Sequence, residues 1–102
     1  MKVVVIHKAA LGRNNIVRYI QREFGDLSVA KFRKEYKAAK KAIGKAPFSF
    51  QKEWNLSTDE LEVRFYVING LTKMVYTVID DQVVILDIWD TRHEPPTSVS
   101  LN

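Results

Sequence analysis

The sequence predicts an α+β fold in which an N-terminal strand and an antiparallel two-helix hairpin pack on a C-terminal antiparallel β-meander. Two observations predict this fold. Apolar residues between positions 9 and 44 recur at steps of three and four, which is helical spacing, whereas those between 61 and 90 alternate, which is strand spacing. Because 102 residues suit a single core, we expect one domain over residues 1–96 and a flexible tail over residues 97–102.

The N-terminal part predicts a strand followed by a helix. Residues Val3 to Ile6 are aliphatic and mostly β-branched, which favours a short buried strand. From about Ala9 to Phe24 the spacing becomes helical, and Gly25 is a typical helix stop. The predicted buried face of this first helix comprises Ile16, Val17, Ile20 and Phe24.

A second helix is expected to begin after Ser28, a residue type that caps helices, and to end at Gly44, with Pro47 preventing its return. Its predicted buried face comprises Val29, Phe32, Tyr36, Ala39 and Ile43. Residues 47–60 show no regular period and predict a connection. Its predicted apolar anchors are Phe48, Phe50, Trp54 and Leu56.

The last third predicts two hairpins. Asn69-Gly70 is the preferred two-residue hairpin turn, and it sets Tyr66 opposite Lys73 and Arg64 opposite Val75. In that register Arg64, Tyr66 and Lys73 share a polar face of the sheet. Val63, Phe65 and Val67 would then face the helices.

The second turn, at Asp80-Asp81, admits a loop of two or three residues. We favour three, because the shorter loop would bury the carboxylate of Asp87 without an evident partner. The longer loop brings Asp87 and Trp89 to the polar face near Lys73. It also turns three aliphatic residues towards the helices: Val84, Leu86 and Ile88.

Charge is unevenly distributed along the chain. The net charge is +4, but residues 31–45 hold seven basic residues against one acid, Glu35, so that this segment is +6 and the remainder −2. Such a block attracts a polyanion or an acidic partner, although a merely solvated helix face explains it equally well. The candidate binding residues here are Lys34, Lys37, Lys40, Lys41 and Lys45.

Several classes of function are disfavoured. The chain has no cysteine, which removes disulfides, thiolate nucleophiles and cysteine zinc sites, and suits the cytoplasm. Its two histidines lack a carboxylate pattern that would make a metal site, so we expect neither metal nor cofactor. The first apolar run ends at His7 and Lys8, too early for a signal peptide or a membrane span.

Several segments together resemble the RelE/ParE superfamily of toxins from bacterial type II toxin–antitoxin modules. NNIVRYIQREFG (14–25) is similar to the family's first helix, VAKF (29–32) to the opening of its second, and IGKAP (43–47) to that helix's end. LEVRF (61–65) is similar to a family strand that contains the pattern ElR, and TKMVYTVIDDQVVIL (72–86) to the family's hairpin. Order and spacing agree over most of residues 9–96.

The resemblance implies a toxin that is held inactive by a cognate antitoxin protein. RelE-like members act as mRNA interferases, endoribonucleases that cut messenger RNA on the ribosome. ParE-like members, which serve in plasmid stabilisation, poison DNA gyrase without cutting anything themselves. A toxin-like domain that has lost activity and only binds partners is a third interpretation.

The resemblance also nominates site residues. Metal-independent RNA cleavage needs an acid, a base and positive charge at the phosphate. Arg64, Lys73 and Arg92 match family positions that contact the scissile phosphate. The family often has arginine where Lys73 stands, and it tends to carry a late tyrosine, whereas this chain has none after Tyr76. His93 is the substitute acid or base, because histidine titrates near neutral pH.

Each candidate has a structural alternative. Arg64 and Lys73 would form an ordinary cross-strand charge ladder with Glu62 and Asp87. His93 would be a plain surface residue. The aromatic candidates for stacking an RNA base are Tyr66 and Trp89. We favour packing of Trp89 against the connection at 47–56 or beneath an antitoxin.

Overall fold

The computed structural model describes residues 1–101, and Asn102, the end of the predicted tail, lies outside the described residues. The six elements are β1 (Lys2–Val5), α1 (His7–Phe24), α2 (Asp26–Lys45), β2 (Arg64–Ile68), β3 (Thr72–Ile79) and β4 (Gln82–Asp90). All strands form one sheet in the order β1-β4-β3-β2, with β1 parallel to β4 and the other neighbours antiparallel. The predicted α+β class is confirmed.

The two helices follow the predicted faces, with corrections at their junction. The predicted face of α2 is buried, and Phe32 and Tyr36 stack with their rings almost parallel. Gly25 ends α1 at φ 87°, and it also caps α2, which begins at Asp26, so the predicted Ser28 cap is wrong. Phe24, the last residue of α1, is 66% exposed and not buried as expected, and its ring contacts that of Tyr19 edge-on.

The β2–β3 hairpin has a register that differs from the predicted one. Asn69 and Gly70 take the positive φ angles of the turn, but Ile68 pairs with Thr72, so Leu71 is an additional loop residue. Because successive side chains of a strand point to opposite faces of the sheet, this shift of one residue places each β2 side chain on the face opposite to the predicted one. Tyr66 packs against the helix-side core and Phe65 against the opposite cluster, the reverse of the prediction.

The β3–β4 hairpin has a two-residue turn, with Asp80 and Asp81 both at positive φ and Ile79 paired with Gln82. The predicted three-residue loop is therefore wrong. A bulge at Leu86 interrupts the alternation and returns the residues from Asp87 onward to their predicted faces, because Val75 pairs with Asp87 and the next pair is Tyr76 with Ile85. Ile88 then faces the helices as predicted, but Val84 and Leu86 belong to the opposite face.

The face of the sheet opposite the helices is apolar and not the polar surface that alternation predicted. Its buried cluster consists of Leu56, Val63, Val75, Val84 and Leu86, and Trp89 and Val99 pack against it. The connection at 46–63 covers this face with its anchor Leu56 and the half-buried Leu61. Phe50 packs against the helix-side core, whereas Phe48 and Trp54, also predicted as anchors, are largely exposed.

Asp87 is buried, contrary to the prediction, and two groups interact with its carboxylate. The residue is 7% exposed, its carboxylate accepts the N–H of Ile88 at 2.8 Å, and the Lys8 ammonium lies 3.5 Å away. Lys8 comes from the first turn of α1, a contact that only the tertiary structure creates. Within residues 1–101, no helix combines the length and apolarity that crossing a membrane requires.

Candidate functional site

The predicted phosphate-binding residues do not share one face of the sheet. Arg64 pairs across the strands with Tyr76, on the helix side, whereas Lys73 pairs with Val67 and Trp89, on the opposite side. The face shared by Arg64, Tyr66 and Lys73 was therefore wrongly predicted, because Leu71 lengthens the loop. The expected proximity of Lys73 and Trp89 is confirmed, with the ammonium 5.8 Å from the indole centroid.

Arg64 serves as a structural cross-link at the edge of the sheet. Its guanidinium donates to the Phe50 carbonyl at 2.6 Å and to the Glu62 carboxylate at 2.7 Å, and its side chain is 20% exposed. The ammonium of Lys52 also pairs with the Glu62 carboxylate, at an N–O distance of 3.4 Å. The predicted pairing of Arg64 with Glu62 is therefore confirmed, but it joins residues two apart on one segment and is not a cross-strand pair.

Lys73 is held in a largely buried ion pair. Its ammonium donates to the carboxylate of Glu53, and the two side chains are only 22% and 11% exposed. The Phe65 ring lies beside the same ammonium, at 4.3 Å. The partner is Glu53 of the connection and not Asp87, the predicted one. Nothing in this arrangement leaves Lys73 free for a phosphate.

The exit of β4 holds the remaining candidates. Arg92 forms a two-pronged bond to Asp90, with Nε 3.0 Å from Oδ1 and Nη2 2.6 Å from Oδ2. The backbone of this turn is fixed as well, since Arg92 N–H donates to Asp90 Oδ1 and His93 N–H donates to the Asp90 carbonyl. Arg92 and His93 therefore lie exposed but on an ordered turn.

Helix α1 lies against this exit and completes a cleft. We name it the α1–β4 cleft, a cavity of about 320 Å³. Its polar and aromatic lining comprises Asn15, Tyr19, Arg22, Trp89, Asp90 and His93. Gly12 permits the close approach, because a β-carbon built there would lie 2.1 Å from the Ile88 carbonyl oxygen. The cleft thus depends on a glycine at this position of α1.

Tyr19 is the central aromatic residue of the cleft. The guanidinium of Arg22 lies 5.7 Å from its ring centroid, and that of Arg92 lies 5.8 Å away. Tyr19 and Asp90 also line an adjoining cavity of about 240 Å³ that contains Arg92. Two guanidinium groups therefore flank one phenol, and His93 lines the same cleft as Tyr19 and Arg22.

Sequence reasoning did not nominate Tyr19 and Arg22. The sequence has no tyrosine after Tyr76, unlike the family it resembles, but α1 supplies one to the cleft from the other end of the chain. The available signal was the spacing of Asn15, Tyr19 and Arg22, which places them one above another on one helix face. Spacing alone does not reveal that this face meets the exit of β4.

Electrostatics fix the charge states of the Asp90–Arg92 pair. The hydrogen bonds from Arg92 lower the pKa of the Asp90 carboxyl below its ordinary value, although burial opposes this. The same bonds raise the pKa of Arg92. Asp90 is consequently a carboxylate that orients Arg92 and is not a proton donor at neutral pH.

The predicted lysines of α2 form a stripe on its exposed side. Lys34, Lys37, Lys41 and Lys45 are exposed and follow one another at helical spacing. Lys40 is half-buried, with its ammonium 4.7 Å from the Tyr36 ring centroid. At 1.5 Å per residue the stripe from 34 to 45 extends over about 16 Å. This length spans several phosphates of a nucleic-acid strand.

Fold and cleft together define a small α+β protein with a cationic and aromatic cleft where β4 ends. Neither models of known protein families nor curated proteins match this sequence. Chemically, Arg22 of the α1–β4 cleft and Arg92 of the adjoining cavity can bind a phosphate beside Tyr19. The cleft can also stack a base on an aromatic ring and transfer a proton through His93 or Tyr19.

Proposed function

We propose that this protein is the toxin of a bacterial type II toxin–antitoxin module, a RelE-like endoribonuclease that cleaves ribosome-bound messenger RNA without a metal. It would act in the cytoplasm and be held inactive by a cognate antitoxin. The α1–β4 cleft and the adjoining cavity are the observation that carries the proposal, since Tyr19 and Asp90 line both and so join His93, Trp89 and Arg22 of the cleft with Arg92 of the cavity. These are the residue types that metal-independent cleavage requires.

Each of these residues has a separate role in the proposed reaction. Arg92, oriented by Asp90, and Arg22 stabilise the negative charge that grows on the phosphate as the 2′-oxygen attacks. His93 takes the 2′-hydroxyl proton, and Tyr19 donates a proton to the leaving 5′-oxygen. The lysine stripe of α2 holds the ribosomal RNA or the transcript by charge. Arg64 and Lys73 then support the fold, because their paired side chains are only 20% and 22% exposed, whereas the side chain of Arg92 is 53% exposed.

His93→Ala is expected to reduce transcript cleavage by roughly 10²-fold to 10⁴-fold, the usual contribution of a general acid or base. The measurement is cleavage of a labelled messenger in a reconstituted translation reaction. The reaction contains no antitoxin. A parallel reaction with RNA alone shows whether the ribosome is required. His7→Ala is the matched control, because His7 is exposed at the start of α1, away from the cleft lining. Equal cleavage by both variants would refute the role of His93.

One observation favours a second candidate, a ParE-like poison of DNA gyrase. Arg64, Lys73 and Arg92, the predicted phosphate contacts, each have a carboxylate partner: Glu62, Glu53 and Asp90, respectively. A protein that only docks on gyrase needs no free phosphate-binding cation. Inducing the wild-type chain without an antitoxin separates the two functions. Cut transcripts support the nuclease, whereas DNA damage with intact transcripts supports the poison.

A further inference from the structure

Strand β3 is longer than its neighbour β2, and this leaves a groove at one edge of the sheet. The last β3 residue that pairs with β2 is Tyr76, whereas Val78 and Ile79 pair only with β4. The segment that precedes β2 forms a turn here. Two backbone hydrogen bonds between Thr58 and Leu61, at 2.9 and 3.3 Å, close this turn. A cavity of about 670 Å³ remains, which we name the β3 groove.

Two aromatic side chains line the β3 groove and are largely exposed. Trp54 is 72% exposed and Phe48 is 61% exposed. Each ring already lies beside a cation, with the Lys52 ammonium 4.5 Å from the Trp54 centroid and the Arg64 guanidinium 5.7 Å from that of Phe48. The faces of such rings attract positive charge. Large exposed aromatic residues in one place are typical of an interaction surface.

The charge of the groove is opposite in sign to that of the whole chain. Three carboxylates and two cations line it, although the chain carries +4. Lys52 and Arg64 both pair with Glu62, and despite burial, which acts to raise it, their charge lowers the pKa of that carboxyl. Asp59 and Glu60 form no ion pair among residues 1–101. They give the groove a rim of unneutralised negative charge.

We propose that the β3 groove binds an extended segment of a partner protein that carries lysine or arginine side chains. The segment adds to β3 beyond Tyr76 by backbone hydrogen bonds, as peptides do at open sheet edges. Its cationic side chains contact Asp59, Glu60 and the exposed face of Trp54. The negative charge of the groove indicates a protein partner, because the two free carboxylates would repel the phosphates of a nucleic acid.

This site is separate from the proposed nuclease cleft. The β3 groove adjoins the end of β3 at Ile79, whereas the α1–β4 cleft adjoins its start, where Thr72 pairs with Asp90. The seven residue steps of β3 between them extend roughly 24 Å at about 3.4 Å per residue. Binding in the groove therefore does not depend on whether the protein cleaves RNA.

The test is selection of a random heptapeptide library displayed on phage against the purified full chain, with the recovered peptides then synthesised. We expect lysine- or arginine-containing peptides, bound about ten-fold more weakly by the double variant Asp59→Lys with Glu60→Lys and by Trp54→Ala. All three positions are exposed, so the fold should persist, as circular dichroism will verify. The matched controls are Glu23→Lys and Leu27→Ala, exposed positions outside the groove.

Three outcomes would overturn the proposal. The first is no enrichment of basic peptides over the naive library. The second is enriched peptides that bind the groove variants and the wild type equally. The third is a labelled single-stranded RNA whose binding is weakened by Trp54→Ala and strengthened by the lysine substitutions, which would make the groove a nucleic-acid site.

Discussion

At the scale of single residues, a few positions fix where the site forms. Gly12 lets α1 contact the backbone of β4, and Asp90 holds Arg92 beside Tyr19. Tyr76 is another such position, because its buried hydroxyl donates to the Pro47 carbonyl at 2.7 Å and so fastens the connection after α2 to the core. The contacts of Gly12 with β4, of Arg92 with Tyr19 and of Tyr76 with Pro47 all join residues that are distant in sequence.

Tyr76→Phe is expected to lower the free energy of unfolding by about 1–3 kcal/mol, because the Pro47 carbonyl loses its buried donor. Burial raises the pKa of Tyr76 to about 12, against a smaller lowering by Arg64. A raised pKa in the folded state means that stability is complete below the unfolded value of about 10 and falls as the pH rises towards the folded value.

Urea denaturation at pH 8 and at pH 11 measures both effects of this substitution. The wild type should lose more stability between the two pH values than Tyr76→Phe does. Tyr66→Phe is the control, since Tyr66 is half-buried and its hydroxyl forms no hydrogen bond to residues 1–101. Equal losses in Tyr76→Phe and the wild type would contradict the assignment of the alkaline sensitivity to Tyr76.

At the scale of elements, loop lengths decide which side chains meet. The additional loop residue Leu71 turns β2 over and separates Arg64 from Lys73, and the bulge at Leu86 keeps Trp89 beside Lys73. The connection at 46–63 is then fastened to the face of the sheet opposite the helices by the ion pair of Lys73 with Glu53. That pair links two elements and forms no part of the α1–β4 cleft.

Removing one partner of this ion pair is expected to cost about 3–5 kcal/mol, because the remaining charge stays buried and unpaired. The single variants are Glu53→Gln and Lys73→Met, and the double variant should recover part of the loss. Urea denaturation of the four proteins gives the coupling energy.

The matched control is the exposed pair of Lys52 and Glu62, with side chains 32% and 47% exposed. Its coupling should be about 0–1 kcal/mol. A Lys73–Glu53 coupling no larger than that of the control pair would contradict the structural role assigned to Lys73. Intact transcript cleavage in a folded Lys73→Met protein is expected, whereas strong loss of cleavage would return Lys73 to the catalytic candidates.

At the scale of the whole molecule, charge and shape are segregated. The exposed side of α2 is basic, the α1–β4 cleft is cationic and aromatic, and the β3 groove has a negative rim. The sheet is covered on both faces, by the helices on one and by the connection on the other. These three surfaces therefore differ in charge and lie on different parts of the molecule, and we expect them to bind different partners.

The lysine stripe predicts the salt dependence of RNA binding. Replacing Lys34, Lys37, Lys41 and Lys45 by glutamine should reduce the slope of log K against log salt by about 3, at roughly 0.7 for each phosphate contact on a single strand. Fluorescence anisotropy with a labelled single-stranded RNA at several salt concentrations measures the slope. Lys2→Gln, an exposed lysine on β1, is the control and should change it by less than about 1. An unchanged slope in the quadruple variant would exclude the stripe from binding.

The sequence by itself determined the α+β class, the two helices and the three strands of the meander, because apolar periodicity and glycine stops are local signals. It also identified the basic segment 31–45 and the turn residues Asn69-Gly70 and Asp80-Asp81. Only the tertiary structure decided the registers, since one loop residue and one bulge each shift a strand by a single position. The same holds for the α1–β4 cleft and the Lys73–Glu53 pair, which join residues far apart in the chain. No local pattern encodes such a meeting, because it depends on how α1 and the connection pack on the sheet.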